Sequence, residues 1–415
     1  MAKKYINKNE VFVMDSLDNL VPADHLVRKL DEFIDWSFIN TLTDPLYSNT
    51  GRGRIDPVIL FKMIFINKLF GINSMRKTCE EIKVNLAYRR LLGLSFEVQV
   101  PNHSTHSKNN RRKFKDNQIS EQFFMGVLGQ LHEQELIDME TLFIDGTHIK
   151  ANANKNKYNK EEVLKYSVKM YQEELDTEIN EDRIKHGKKK LKEKDGELVV
   201  KVEKVSKNDP ESCVFHKGEK EKCFAYSANT ACDVNGYIVD VHIEPGNVHD
   251  SVSCIELHER LMKNEAFESV KNMALDAGYI TPFICKTIKD IGITPYMPYK
   301  RPMTKEGFSK KYKYVYDEKY DCYLYPNDEV LKYNTTNREG YKEYRSNPDK
   351  CKNCPFLEKC TASKNYQKVV TRHVWEEYRE EVADHIRHTD KWKEIYPQRK
   401  EQLNVALGMR KLNTE

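Results

Sequence analysis

Two aspartates in this chain sit in matching local settings. Asp145 closes the run TLFID and is followed by Gly146-Thr147; Asp276 closes NMALD and is followed by Ala277-Gly278. Each ends a short apolar segment that reads as a β-strand, and the small residues behind each leave room for a bulky substrate. In open α/β sheets, ligand sites gather at strand ends. Two carboxylates on neighbouring strands repel each other unless a cation lies between them. Mg²⁺ or Mn²⁺ suits that place, because it takes oxygen ligands and keeps positions open for water and phosphate. Ions so held stabilise the attacking and leaving oxygens of a phosphoryl displacement. The plain alternative is that each aspartate caps a turn; the pairing of the two settings favours metal.

Two other sets could bind. Cys351-x2-Cys354-x5-Cys360 offers three thiolates near one another, and a closed Zn²⁺ site takes four ligands, for which Cys322 is the nearest candidate. Three reduced thiols in a loop explain the spacing equally well. Cys79, Cys213, Cys223, Cys232, Cys254 and Cys285 read as packing residues. The second set is basic. Residues 51–115 carry fourteen Lys/Arg against four acids, although the whole chain has a net charge of only +4. Arg52, Arg54, Lys108, Arg111, Arg112 and Lys113 are the candidate contacts to a polyanion, most simply double-stranded DNA, with Asn and Ser side chains among them. A solvated, Lys-rich surface is the bland alternative.

The elements that must position these residues are legible in outline. The chain has 415 residues, 39% hydrophobic and 32% charged, enough for two or three domains. Residues 20–135 read as helical: apolar spacing over Leu26–Ile34, Asp56-Pro57 opening a helix that stops at Gly71, Ser74 capping the next, and Gly93 closing a third. Two capped helices around Gly71-Ile-Asn-Ser74 fit a helix-turn-helix, as they fit many bundles. Over residues 140–280 the pattern becomes strand, insertion, strand, strand, helix, strand, which predicts a mixed sheet covered by helices. Residues 155–222 form a Lys-rich polar insertion, predicted as a helix over 158–180 and then a solvated hairpin or linker. Asn235-Gly236 marks a hairpin. The Tyr-rich stretch 310–328 reads as an edge strand with one packed face.

Taken together, FIDGTHIKANANK, GYIVDVHIEPGNVHDS and ALDAGY resemble the DDE transposases of bacterial insertion sequences with an InsH-type helical N-terminal domain. The resemblance spans about residues 10–401. It takes in GRGRIDPVILFKMIFINKLFGINSMR, the Cys-containing segment within 315–365, VTRHVWEEY and KWKEIYPQRKE. It implies an RNase H-like DDE domain over 136–415, a DNA-binding domain over 1–135, and Mg²⁺ (or Mn²⁺) held by Asp, Asp and Glu. It also implies cleavage at transposon ends with joining to target DNA, commonly by a homodimer. Asp145 and Asp276 take the places of the first two acids, and His249 and Asp250 fall in a shared motif. The family's Cys-Pro upstream of the cysteine segment is here Tyr325-Pro326.

The third acid departs from the pattern. The family continues past YPQRKE with a helix close to T-I-E-R-x-F, whose Glu is catalytic; here Asn404 occupies that place. With one choice of codons for Gln402–Glu415, a shifted frame reads I-E-R-C-F-G-D-A-K-I-E-H-G. The expectation is a truncated or frameshifted copy that lacks the catalytic helix and shows little strand transfer, an inactive enzyme or a non-catalytic inhibitor that occupies the same DNA. A metal-dependent nuclease or phosphatase drawing a third carboxylate from Glu376, Glu377, Glu380 or Glu381 is the other reading. No apolar run reaches the roughly 20 residues of a membrane span, and no signal peptide is evident, so the expected location is the cytoplasm.

Overall fold

The computed structural model describes residues 15–48, 55–115, 117–166, 171–192, 198–217, 221–248, 250–263, 265–325 and 329–412. Arg52, Arg54 and His249 lie outside the described residues, as do the side chains of Asp250 and Asn404. Contacts divide the chain at 137/138 into two units, the second running from Asp138 to Lys411.

The first unit is helical, and its caps are those the sequence predicts. Asp56 accepts the Val58 amide at 2.8 Å ahead of helix Pro57–Leu69, and Gly71 follows at φ 60°. Ser74 accepts the Lys77 amide ahead of Met75–Val84. Gly93, at φ 64°, closes Leu86–Leu92; a side chain there would be strained in the left-handed region. The Asn67 amide donates to the Ile72 carbonyl at 2.7 Å and to Thr78 Oγ1 at 2.8 Å, which fixes the turn between the first two of these helices. Leu60, Phe61, Met63, Ile66 and Ile82 are fully buried with Trp36 and Ile39 of the preceding segments.

The second unit is built on a six-stranded mixed sheet: β1 (Thr141–Lys150), β2 (Cys213–Lys217), β3 (Glu221–Cys232), β4 (Ile238–Pro245), β5 (Asn272–Leu275) and β6 (Thr294–Tyr296). The order is β2-β3-β1-β5-β6, with β4 on β3 alongside β2. β1, β5 and β6 run parallel; β3 is antiparallel to β1, β2 and β4. Gly236, at φ 82°, turns β3 into β4, and Asp233 Oδ1 accepts the amides of Asn235 and Tyr237. β1 continues through Gly146 to Lys150 as one strand, instead of breaking after Asp145, because β3 pairs with it from Phe143 to Lys150.

The insertion is more ordered than its composition suggests. Tyr158–Tyr166 is a strand, not the predicted helix, because Leu198–Ser206 pairs with it throughout. The helix comes later, at Gln172–Lys185, and buries Leu175 and Ile179 against Trp375. A separate five-stranded sheet (Val315–Asp317, Cys322–Leu324, Val330–Thr336, Tyr341–Arg345, Val369–His373) packs Tyr314, Tyr323, Leu331, Tyr344 and Val370. The Tyr-rich stretch is its edge, as read.

Candidate active site

The parallel register sets the two aspartates together. Phe143 pairs with Ala274 and Ile144 with Leu275, so Asp145 and Asp276 each stand one residue past the last shared rung. Neighbouring strands lie about 4.8 Å apart, within reach of one or two bridging cations. Residues two apart on a strand share a face. Asp145 therefore lies on the face of Phe143, and Asp276 on that of Ala274. That face is covered by helix Asp390–Leu412, whose Ile395 and Leu403 pack on Phe143, Cys232, Ala274 and Tyr296. Trp392 stacks on Tyr396 at 4.8 Å and donates its indole N–H to the Met297 carbonyl, which anchors the helix start.

The same helix carries a residue that sequence reasoning passed over. Arg399 places one guanidinium nitrogen 2.8 Å from Asp145 Oδ1 and another 3.9 Å from Asp276 Oδ1, and its Nε donates to the Ile144 carbonyl at 3.3 Å. Its side chain is 12% exposed, against 30% for Asp145 and 51% for Asp276. Two hard oxygen donors, open to water and already sharing one cation, form a donor set that fits Mg²⁺ or Mn²⁺. Among the described residues, no third carboxylate, imidazole or thiol completes a cluster with them. Burial, with the Asp233 charge second, pushes the Cys232 thiol beneath the site up to about 12, so it stays protonated and inert.

The other candidates are placed as follows. Glu376 pairs with Arg379, Glu380 with Arg372 and Glu381 with Lys289. These contacts account for three of the four acids considered for the third position. Cys351, Cys354 and Cys360 line one cavity of about 190 Å³ with Tyr314 and Tyr325, but their sulfurs do not converge as a ligand cluster; Cys322 is not in its lining. Lys108, Arg111 and Arg112 are exposed on a helical segment, Lys113 lies 3.5 Å from the Tyr47 ring, and Phe114 anchors the segment in the core against Phe61 at 5.4 Å. Asn404 lies on the backbone of the covering helix.

Residues 15–112 match a family model described as "Transposase domain (DUF772)", and residues 325–415 match one described as "Transposase DDE domain". The two matches, in this order, support an insertion-sequence DDE transposase. That family implies DNA binding and generally uses divalent metal ions. No curated protein and no solved structure matches the chain. Among the described residues, no helix is long and apolar enough to cross a membrane.

Proposed function

We propose that the chain binds transposon-end DNA and that Asp145 and Asp276 form its metal-dependent strand-cleavage and transfer centre, in the cytoplasm and as a homodimer on paired ends. The observation that carries the reading is the parallel register that brings the two aspartates side by side, each one residue past the last rung shared by β1 and β5, with one shared cation, Arg399. The strand order, with β1 central between antiparallel β3 and parallel β5, supports an RNase H-like sheet. Asp145 and Asp276 would hold Mg²⁺, which supplies charge neutralisation at the phosphate oxygens. Gly146 and Ala277-Gly278 keep the approach to both carboxylates free of bulk. Lys108, Arg111, Arg112 and Lys113, with Arg52 and Arg54, would hold phosphates and set the register of DNA on the first unit.

Asn404 favours a second reading, a DNA-binding chain that transfers strands poorly or blocks an active partner. A neutral amide supplies no charge to a metal, and loss of one metal carboxylate costs on the order of 10³-fold in rate. The test uses the DNA ends that flank the gene, with Mg²⁺ or Mn²⁺. Both the chain and Asn404→Glu should bind the ends; joining should rise at least about 10³-fold in Asn404→Glu and vanish again on adding Asp276→Asn. Joining by the unaltered chain at the level of the variant overturns the role given to position 404. Joining that survives Asp276→Asn overturns the site.

A further inference from the structure

The opposite face of the central sheet carries its own set of metal-ligating groups. The antiparallel register runs Asp145–Thr230–Val241 across β1, β3 and β4, so His242 is one residue out of step and points to the other face. Asp240, His242 and Glu244 alternate along that face. Helix Asp250–Leu261 packs on it, burying Cys254, Leu257 and Leu261. Two residues on a strand rise about 6.6 Å and four on a helix about 6 Å, so a strand pair and a helical i, i+4 pair form matching rungs. Asp240 and Arg260 make one rung, a two-point ion pair at 2.9 and 3.0 Å. His242 and Glu256 make the next. His242 Nε2 lies 3.1 Å from Glu244 Oε1 and 3.4 Å from Glu256 Oε2, and all three ligand atoms lie within 4.8 Å of one another.

We propose that His242, Glu244 and Glu256 bind a divalent first-row transition ion, Mn²⁺ or Zn²⁺, independently of the Asp145/Asp276 pair. Nε2 is fully buried and makes no hydrogen bond of regular geometry. A protonated imidazole could offer its single Nε2 proton to only one of the two carboxylates at a time. Glu244 is 12% exposed, so the ligand atoms sit where water screens charge poorly. A dication answers both carboxylates at once and uses the nitrogen lone pair as a third ligand. One imidazole with two carboxylates selects transition ions over Mg²⁺ or Ca²⁺, which take oxygen alone. Glu256, 47% exposed, gives the ion an entry path, and water completes its shell. The ion would tie β4 to the helix beside the Asp240–Arg260 rung.

The test uses the full chain carrying Asp145→Asn and Asp276→Asn, titrated with Mn²⁺ and followed by electron paramagnetic resonance. One bound Mn²⁺ per chain is expected. Adding His242→Ala or Glu256→Gln should weaken it at least about tenfold. Glu256 is half exposed, so its amide leaves the fold intact. Mn²⁺ should also raise the unfolding temperature of the parent and leave that of the Glu256→Gln chain unmoved. Co²⁺ bound there should give a spectrum of nitrogen and oxygen ligation without thiolate bands. The proposal is overturned if the double-Asn chain binds no Mn²⁺, if both added variants bind as tightly as it does, or if bound Co²⁺ shows thiolate ligation only.

Discussion

Arg399 and Arg260 each reach strand carboxylates from a helix, on opposite faces of one sheet. Arg260 grips Asp240 with two nitrogens, and Asp240 is 6% exposed. Arg399 divides itself between Asp145 and Asp276, one contact short and one long, and both carboxylates stay wet. The first arrangement suits a permanent fastening, because breaking a buried pair strands a charge in a medium that cannot solvate it. The second suits exchange, because water can take over either carboxylate while another cation arrives. The same two residue types thus serve as pin or as placeholder, according to geometry and solvent access.

The sharpest way to break this comparison is to remove each arginine in turn. Arg260→Met should cost about 3–5 kcal/mol, read from denaturant unfolding, whereas Arg399→Gln should cost about 1 kcal/mol or less. Equal losses would erase the distinction. A third carboxylate sharpens it. Asp321 accepts the hydroxyls of Tyr316 and Tyr344 and meets His186. Burial opposes its charge most, yet the hydrogen bonds from Tyr344, Tyr316 and His186 hold its pKa below the usual carboxylate value. Asp321→Asn should cost about 2–3 kcal/mol. A depressed folded pKa gives stability that is complete above about pH 4 and is lost as pH falls through the lower folded value. Acid unfolding of the second unit should therefore be less steep in Asp321→Asn than in the parent, and an unchanged acid limb would contradict the assignment.

A smaller effect is expected where exchange is proposed. Arg399→Gln should raise Mn²⁺ affinity at the Asp145/Asp276 pair about tenfold, about 1.4 kcal/mol, measured in a His242→Ala background. Unchanged affinity would mean that the arginine does not compete with metal. The least consequence for folding is expected on the first unit. Lys108→Ala, Arg111→Ala and Arg112→Ala together should leave its unfolding midpoint in place and reduce the salt slope of DNA binding by about 2–3. A slope equal to the parent's would remove these residues from the DNA surface.

Much of this arrangement was legible in the sequence, for local reasons. Asp56, Ser74, Gly71 and Gly93 announce helix ends through chemistry that acts within four residues. The two aspartates stood out because their surroundings repeat. What stayed hidden depends on pairing across distance. Arg399 bonds to the backbone of Ile144, 255 positions away, and nothing in YPQRKE says which strand it will meet. Tyr158–Tyr166 was expected as a helix because NKEEVLK has no clean period; its partner strand, forty residues on, decides the matter. His242 and Glu244 alternate visibly along β4, but Glu256 joins them only through the packing of a helix.

β1 is buried over Thr141–Ile144 and progressively exposed from Asp145 to Lys150. Phe143 and Ile144 are held by ladders on both edges; Thr141 and Leu142 pair with β5 alone, and beyond Ile144 only β3 continues beside the strand. In hydrogen-exchange terms, amides at the doubly paired Phe143 and Ile144 should open only when the whole unit unfolds, and those past Gly146 should open sooner. Asp145 stands at the boundary between those regimes. It is anchored rigidly behind while the chain ahead can yield, which in the proposed strand-transfer centre would let it hold position as DNA moves past.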